Sequence, residues 1–214
     1  MQTELKNLVA KHLEKIMDLR CRIHKNPELS NEEAATAELV AATLKETGMK
    51  VITGVSGHGV VGVLQGAGEG PCIALRADMD ALPMEEKTGH PCESQVKGVM
   101  HACGHDVHTA TLLGAALVLS EVKDRFNGTV KFVFQPAEEF NPTGGAPGMI
   151  DGGVLQNPDV DGIVGLHVWP SLPTGTVATK DGALMGASDR LFLTVKGRGA
   201  HGSEPDNGVD AIAI

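Results

Sequence analysis

Between Thr3 and about His24, apolar side chains recur at Leu5, Leu8, Val9, Leu13, Ile16, Met17 and Leu19. Steps of three and four residues put them on one face of a helix, and Asn26-Pro27 stops it. A second helix is predicted to open at Ser30-Asn31-Glu32-Glu33, which has the form of a capping box, and to run through Ala-rich sequence to Gly48. The period then shortens. Segments 49–53, 60–64 and 72–77 are brief, β-branched or apolar, and bounded by glycines and Pro71, which predicts three strands. The Ala/Leu run of 106–123 predicts a mostly buried helix, 129–135 a buried strand, and 163–168 and 176–179 two more strands. Strands alternating with helices give an α/β sandwich around a central mixed or parallel sheet.

The pattern changes near Asp181. Residues 188–196 alternate polar with apolar, predicting a strand with one wet face, and a Gly-rich stretch then leads to what reads as a helix start. Residues 1–180 are therefore expected to form one domain, with 181–214 beginning a second, α+β one. The closing AIAI carries no cap or breaker, so the chain reads as a piece of a longer protein.

Composition narrows the function classes. The 214 residues hold 27 Asp and Glu against 18 Lys and Arg, a formal charge of -9 that repels phosphate backbones and anionic membranes. With no Tyr and one Trp, base-stacking platforms are lacking. No nucleic-acid or membrane partner is expected. The N-terminus mixes charges into every turn, unlike a signal peptide. Four scattered cysteines without a CxxC pair argue against a disulfide framework and for a cytoplasmic setting.

Nine histidines in such a chain are many, and they concentrate. Met100-His101-Ala102-Cys103-Gly104-His105-Asp106-Val107-His108 sets four metal-capable side chains and a carboxylate at the mouth of a predicted helix. Cys103 and His105, two apart, would share one side of an extended backbone and could chelate one ion or two adjacent ions. A Cys103 nucleophile with a histidine base is the rival chemistry. Glu138 and Glu139 follow the strand 129–135; on alternating backbone one would face metal and the other substrate, as general acid and base. Asp78 and Asp80 also follow a strand, either one a ligand or the carboxylate that orients a ligand. His167 closes another apolar segment. Four predicted strand ends would thus bring Asp, Cys/His, Glu and His to one rim.

RADMDALP (76–83), MHACGHDVH (100–108), QPAEE (135–139) and GLHVWPSLPTG (165–175), preceded by HKNPELSNEE (24–33), resemble the metallo-amidohydrolases that include hippurate hydrolases, N-acyl-amino-acid deacylases, auxin-conjugate hydrolases and related carboxypeptidases. The resemblance runs over nearly the whole chain. It implies a centre of two divalent ions (Zn, Mn, Ni or Co) with Cys103, His105, Glu139 and His167 as ligands. Glu138 matches the general base that activates water, and Asp80 the carboxylate beside the site. Asp78 falls where more distant relatives carry a ligating histidine. His201 matches a histidine of an inserted lid that helps hold the substrate, whereas Asp206 stands where the family usually has another histidine. The implied reaction is hydrolysis of N-acyl amino acids, with a homodimer formed through the lid. A fifth protein ligand would lie beyond Ile214, so the alternative is a catalytically incomplete fragment that binds metal without turnover.

Overall fold

The computed structural model describes residues 2–187 and 189–213. Two compact units divide it, Met1–Thr179 and Lys180–Ile214. In the first, the elements follow in the order α1(Gln2–Lys25), α2(Ala34–Glu46), β1(Lys50–Val55), β2(Gly59–Gln65), β3(Cys72–Asp78), α3(His105–Glu121), β4(Thr129–Gln135), α4(Ala146–Asp151) and β5(Gly162–Gly165). The strands form one mixed sheet in the order β1-β2-β4-β3-β5. β1, β2 and β4 are joined antiparallel, while β3 runs parallel to both β4 and β5. Parallel neighbours need a crossover, and α3 supplies the one from β3 to β4.

That topology decides where chemistry can sit. Asp78 pairs with Gln135, and Arg76 with Gly165, so β3, β4 and β5 finish side by side. The chain leaves β3 toward β4 and later returns to its other flank as β5. Ligands of open α/β sheets bind beyond the carboxyl ends of strands, where the order reverses in this way.

Both faces of the sheet are covered at its inner strands, β2, β4 and β3. Leu19 of α1, Val40 and Leu44 of α2 and Leu113 and Ala116 of α3 pack over Phe132 and Phe134 of β4. Each such large side chain contributes roughly 1.5–3 kcal/mol on burial. The opposite face is thinner, with Val61, Ala74 and Val133 against Met149 of α4 and Val154. The strand period explains the division, since Phe132 and Phe134 point one way and Lys131 and Val133 the other. Lys131 is buried but satisfied, donating to the carbonyls of Val154 and Gln156 at 3.0 and 2.7 Å.

Several expectations are corrected. α2 does not begin with a capping box, because Ser30 Oγ donates to Asp80 Oδ2 at 2.6 Å instead. Glu28 takes over the free amides of the first turn, accepting from the N–H groups of Ala35 and Thr36. No strand forms at 176–179, nor in the described part of 188–196; Ser188 lies outside the described residues. A strand pattern without a partner cannot satisfy its backbone groups, and Leu191, Phe192 and Leu193 are each 80% exposed. The predicted closing helix is likewise absent among the described residues. Cys21 and Cys92 form a disulfide between α1 and the long loop after β3, leaving Cys72 and Cys103 free. Partners 71 residues apart leave no spacing signal.

Candidate metal centre

Gly104 starts the site. It is in the left-handed conformation (φ 88°) at the N-terminus of α3, and a Cβ there would lie 2.3 Å from Val168 Cγ2. Only glycine meets both demands. The turn folds Cys103 back toward His105, so the two converge through a sharp corner and not along extended backbone as expected. His105, the first residue of α3, is 1% exposed. Its Nδ1–H donates to the Asp80 carbonyl at 2.9 Å and faces Asp80 Oδ1 at 3.2 Å. That fixes the tautomer and turns Nε2 inward.

His105 Nε2 is buried with no hydrogen-bond partner. Around it stand Asp78 Oδ1 at 3.7 Å, Glu138 Oε2 at 3.9 Å and Glu139 Oε1 at 4.0 Å. These are too long for hydrogen bonds, yet close to the separation of two donors that share one ion at roughly 2.1 Å each. His167 contributes a second imidazole. Its Nδ1–H donates to the Val168 carbonyl at 2.7 Å, and its Nε2 lies 3.4 Å from Cys103 Sγ. Ligand-type atoms of Cys103, His105 and His167 fall within 4.8 Å of one another, as do those of His105, Glu138 and Glu139, and those of Asp78, His105 and His108. A buried orphan nitrogen ringed by a thiol, a second imidazole and carboxylates is a donor set that fits divalent cations.

The electrostatics agree. Burial, together with Glu139, Glu138 and Asp78, pushes the Cys103 thiol up to about 12. Nucleophilic cysteines need the opposite shift, which weighs against the rival chemistry. Burial works against a charge on His105, but Asp80, Asp78 and Glu138 outweigh it and raise its proton affinity. The field that draws a proton to this nitrogen draws any cation. Burial also raises Glu138, with Glu139 and Asp78 adding to the shift.

Two predicted geometries change. Glu138 and Glu139 do not point to opposite sides; both approach His105 Nε2. The strand has ended at Gln135 and Ala137 is in the left-handed region (φ 53°), so strand alternation no longer applies. Asp80 is central to the scaffold: its Oδ2 accepts from Ser30 Oγ and, at 3.0 Å, from the Glu139 N–H. Burial alone would raise its pKa, but His105, Ser30 and the Glu139 amide hold it below the ordinary value. His201 belongs to the second unit, where its Nδ1 accepts from the Ser203 N–H and lies 2.8 Å from Ser203 Oγ. Asp206 sits there in a short 3-10 turn, Pro205–Asn207.

His101 takes no part in these clusters. It is buried, both ring nitrogens lack partners, and burial lowers its pKa to about 4. Its ring lies 6.2 Å from that of His24, the first residue of the HKNPELSNEE segment, to which the sequence assigned no role. His24 Nδ1 meets Asp106 Oδ2 at 2.8 Å, Arg20 Nε donates to the same oxygen at 2.7 Å, and His24 Nε2 reaches Glu86 at 3.2 Å. This network ties α1, the loop after β3 and α3 together behind the site. Only the position of Asp106, one residue past His105, hinted at it.

Residues 74–209 match the model of peptidase family M20/M25/M40. The chain is 46% identical over 212 residues to thermostable carboxypeptidase 2 of Saccharolobus solfataricus, covering 99% of this chain and 53% of that protein. It is 47% identical over 197 residues to the N-acetyl-L-cysteine deacetylase of Bacillus subtilis strain 168, covering 92% and 46%. Among solved structures, the Bacillus subtilis YXEP protein, described as a dinuclear metal-binding peptidase of the M20 family, aligns with a TM-score of 0.75 at 39% identity over 83% of this chain and 48% of that one. The chain spans about half the length of the curated relatives it matches. With its mixed five-stranded sheet and its donor cluster at the carboxyl ends of the parallel strands, the chain belongs to peptidase family M20/M25/M40.

Proposed function

We propose that the protein carrying this chain hydrolyses the amide bond of N-acyl amino acids, releasing a carboxylic acid and the free amino acid. The observation that carries the reading is the unpartnered, buried His105 Nε2 with Glu138 and Glu139 beside it. The deacetylase relative supports the substrate class, and the dinuclear neighbour supports two cations. Cys103, His105, Glu139 and His167 would hold them. Divalent cations there supply Lewis acidity, polarising a carbonyl oxygen and lowering the pKa of water.

Everything else falls to the chain's own groups. Glu138, its proton affinity raised by burial, takes a proton from the attacking water and returns it to the leaving nitrogen. Asp80 keeps His105 in the tautomer that presents Nε2. Cys103 must lose its proton to bind, so cation uptake releases protons and weakens as pH falls. His201 assists in holding the substrate, with the second unit as the start of a lid that pairs two copies; the exposed Leu191, Phe192 and Leu193 offer apolar surface for that. No described helix is long and apolar enough to cross a membrane. A cytoplasmic setting completes the reading, and Cys21–Cys92 is the feature that weighs against it.

The test is Glu138→Gln. The variant should retain its cations while hydrolysis of an N-acetyl amino acid or of hippurate drops by about 10²–10⁴-fold, the usual contribution of general acid–base catalysis. Unchanged turnover would remove Glu138 from the mechanism.

A further inference from the structure

His108 is a metal-type side chain in the densest motif of the sequence, yet neither ring nitrogen is free. Its Nδ1 meets Asp78 Oδ1 at 2.6 Å, and its Nε2 accepts the Val168 N–H at 2.9 Å. A nitrogen that accepts from an amide carries no proton, so the hydrogen on the ring sits at Nδ1 and is donated to Asp78. The two bonds form a relay from the end of β3, through the first turn of α3, to the backbone that leaves β5. Val168 directly follows His167.

Other contacts close on the same place. Arg76 donates to the other oxygen of Asp78 at 2.5 Å, and Thr109 Oγ1 donates to the Asp78 carbonyl at 2.7 Å, so the carboxylate is fixed before it meets the ring. The Val168 side chain closes over Gly104, within van der Waals reach of where no Cβ could fit. The His108 and His167 rings are 4.6 Å apart, edge to face. His167, by contrast, is exposed, and its own Nδ1 bonds only one residue along the chain. Such a local bond sets the tautomer but cannot anchor the segment to the fold.

We propose that Asp78 and His108 are positioning residues rather than ligands, and that their relay to the Val168 amide holds His167 Nε2 against Cys103. The inference rests on the reading of this cluster as a metal centre. It assigns Asp78, whose role the sequence left open, to orienting His108. It also removes His108 from the set of candidate ligands, although its atoms lie within 4.8 Å of those of Asp78 and His105.

Cobalt(II) titration of the 214-residue chain tests it, because a thiolate-to-cobalt charge-transfer band in the near ultraviolet reports the Cys103 side of the centre without any turnover. An Asn amide reaches about as far as an imidazole Nδ1, and a Gln amide about as far as Nε2. His108→Asn therefore keeps a donor for Asp78 and loses the acceptor for Val168, whereas His108→Gln can restore that acceptor. His108→Asn should weaken cobalt binding at the thiolate by about 10–100-fold, the usual cost of losing a partner behind the ligands, and His108→Gln should recover most of it. Equal binding by parent and His108→Asn overturns the relay, as does equal weakening by both variants.

Imidazole nitrogen-15 spectra of the unsubstituted chain give a second readout that needs no variant. His108 should show a bare Nε2 and a protonated Nδ1; a protonated Nε2 overturns the proposal. Absence of the thiolate band in the parent chain would instead sink the metal-centre reading, and the relay with it.

Discussion

His105 and His167 both present an Nε2 to the cluster around Cys103, but are held in different ways. His105 is buried at the head of α3, and Asp80, its hydrogen-bond partner, is itself held by Ser30 and the Glu139 amide. His167 is exposed just past β5, the edge strand, where Ile163 and Val164 are about half exposed. One donor is oriented by the fold, the other by a neighbouring carbonyl and by the relay from His108. The contrast locates the permanent part of the site at β3 and α3 and the dependent part at β5.

The largest expected effect tests the scaffold behind the permanent half. Cys21–Cys92 closes a loop 71 residues long between α1 and the segment leading to Cys103. On the chain-entropy model, closing such a loop contributes about 4 kcal/mol. Cys21→Ser should lower the unfolding free energy in urea by that order, and a dithiol reductant should do the same to the parent. A shift of a few tenths would mean that the hydrophobic core alone fixes the loop.

Next in size is the support of His105. Asp80→Asn cannot accept from Ser30, the Glu139 amide and His105 together, so zinc affinity should fall by about 10–100-fold, or 1.4–2.7 kcal/mol. Equilibrium dialysis reads this directly. Unchanged affinity would show that the backbone carbonyl of residue 80 orients His105 without help from the carboxylate.

A smaller effect follows from Glu86, which lies behind the permanent half. Burial would raise its pKa, but hydrogen bonds from Thr88, the Ser94 amide and His24 lower it from 4.5 to about 2. A carboxylate with a lowered folded-state pKa stabilises above its unfolded value and loses that contribution as pH falls through its folded one. Stability should therefore decline between about 4.5 and about 2, and Glu86→Gln should flatten the decline in acid-unfolding curves. An identical acid limb in parent and variant would show that Glu86 is not part of it.

Much of this contrast could be read from the sequence. β3, β4 and α3 announce themselves by local period, and the motifs that follow the two strands and open the helix carry Asp80, the two glutamates, Cys103 and His105. What stayed hidden depends on long-range partners or on single backbone angles. The left-handed Ala137 turns Glu138 and Glu139 to one side, Ser30 serves Asp80 and not α2, and Cys21 finds Cys92 far along the chain. Residues 188–196 show the converse, a clean strand pattern whose described part has no partner strand to pair with.

The difference between the two histidines can be measured by counting bound zinc per chain in the parent, His105→Ala and His167→Ala after dialysis at equal free zinc. His105 lies within reach of both the Cys103–His167 pair and the Glu138–Glu139 pair. Its loss should abolish binding of both ions, whereas loss of His167 should leave one. Retention of both ions by His105→Ala, or a greater loss in His167→Ala, would contradict the account.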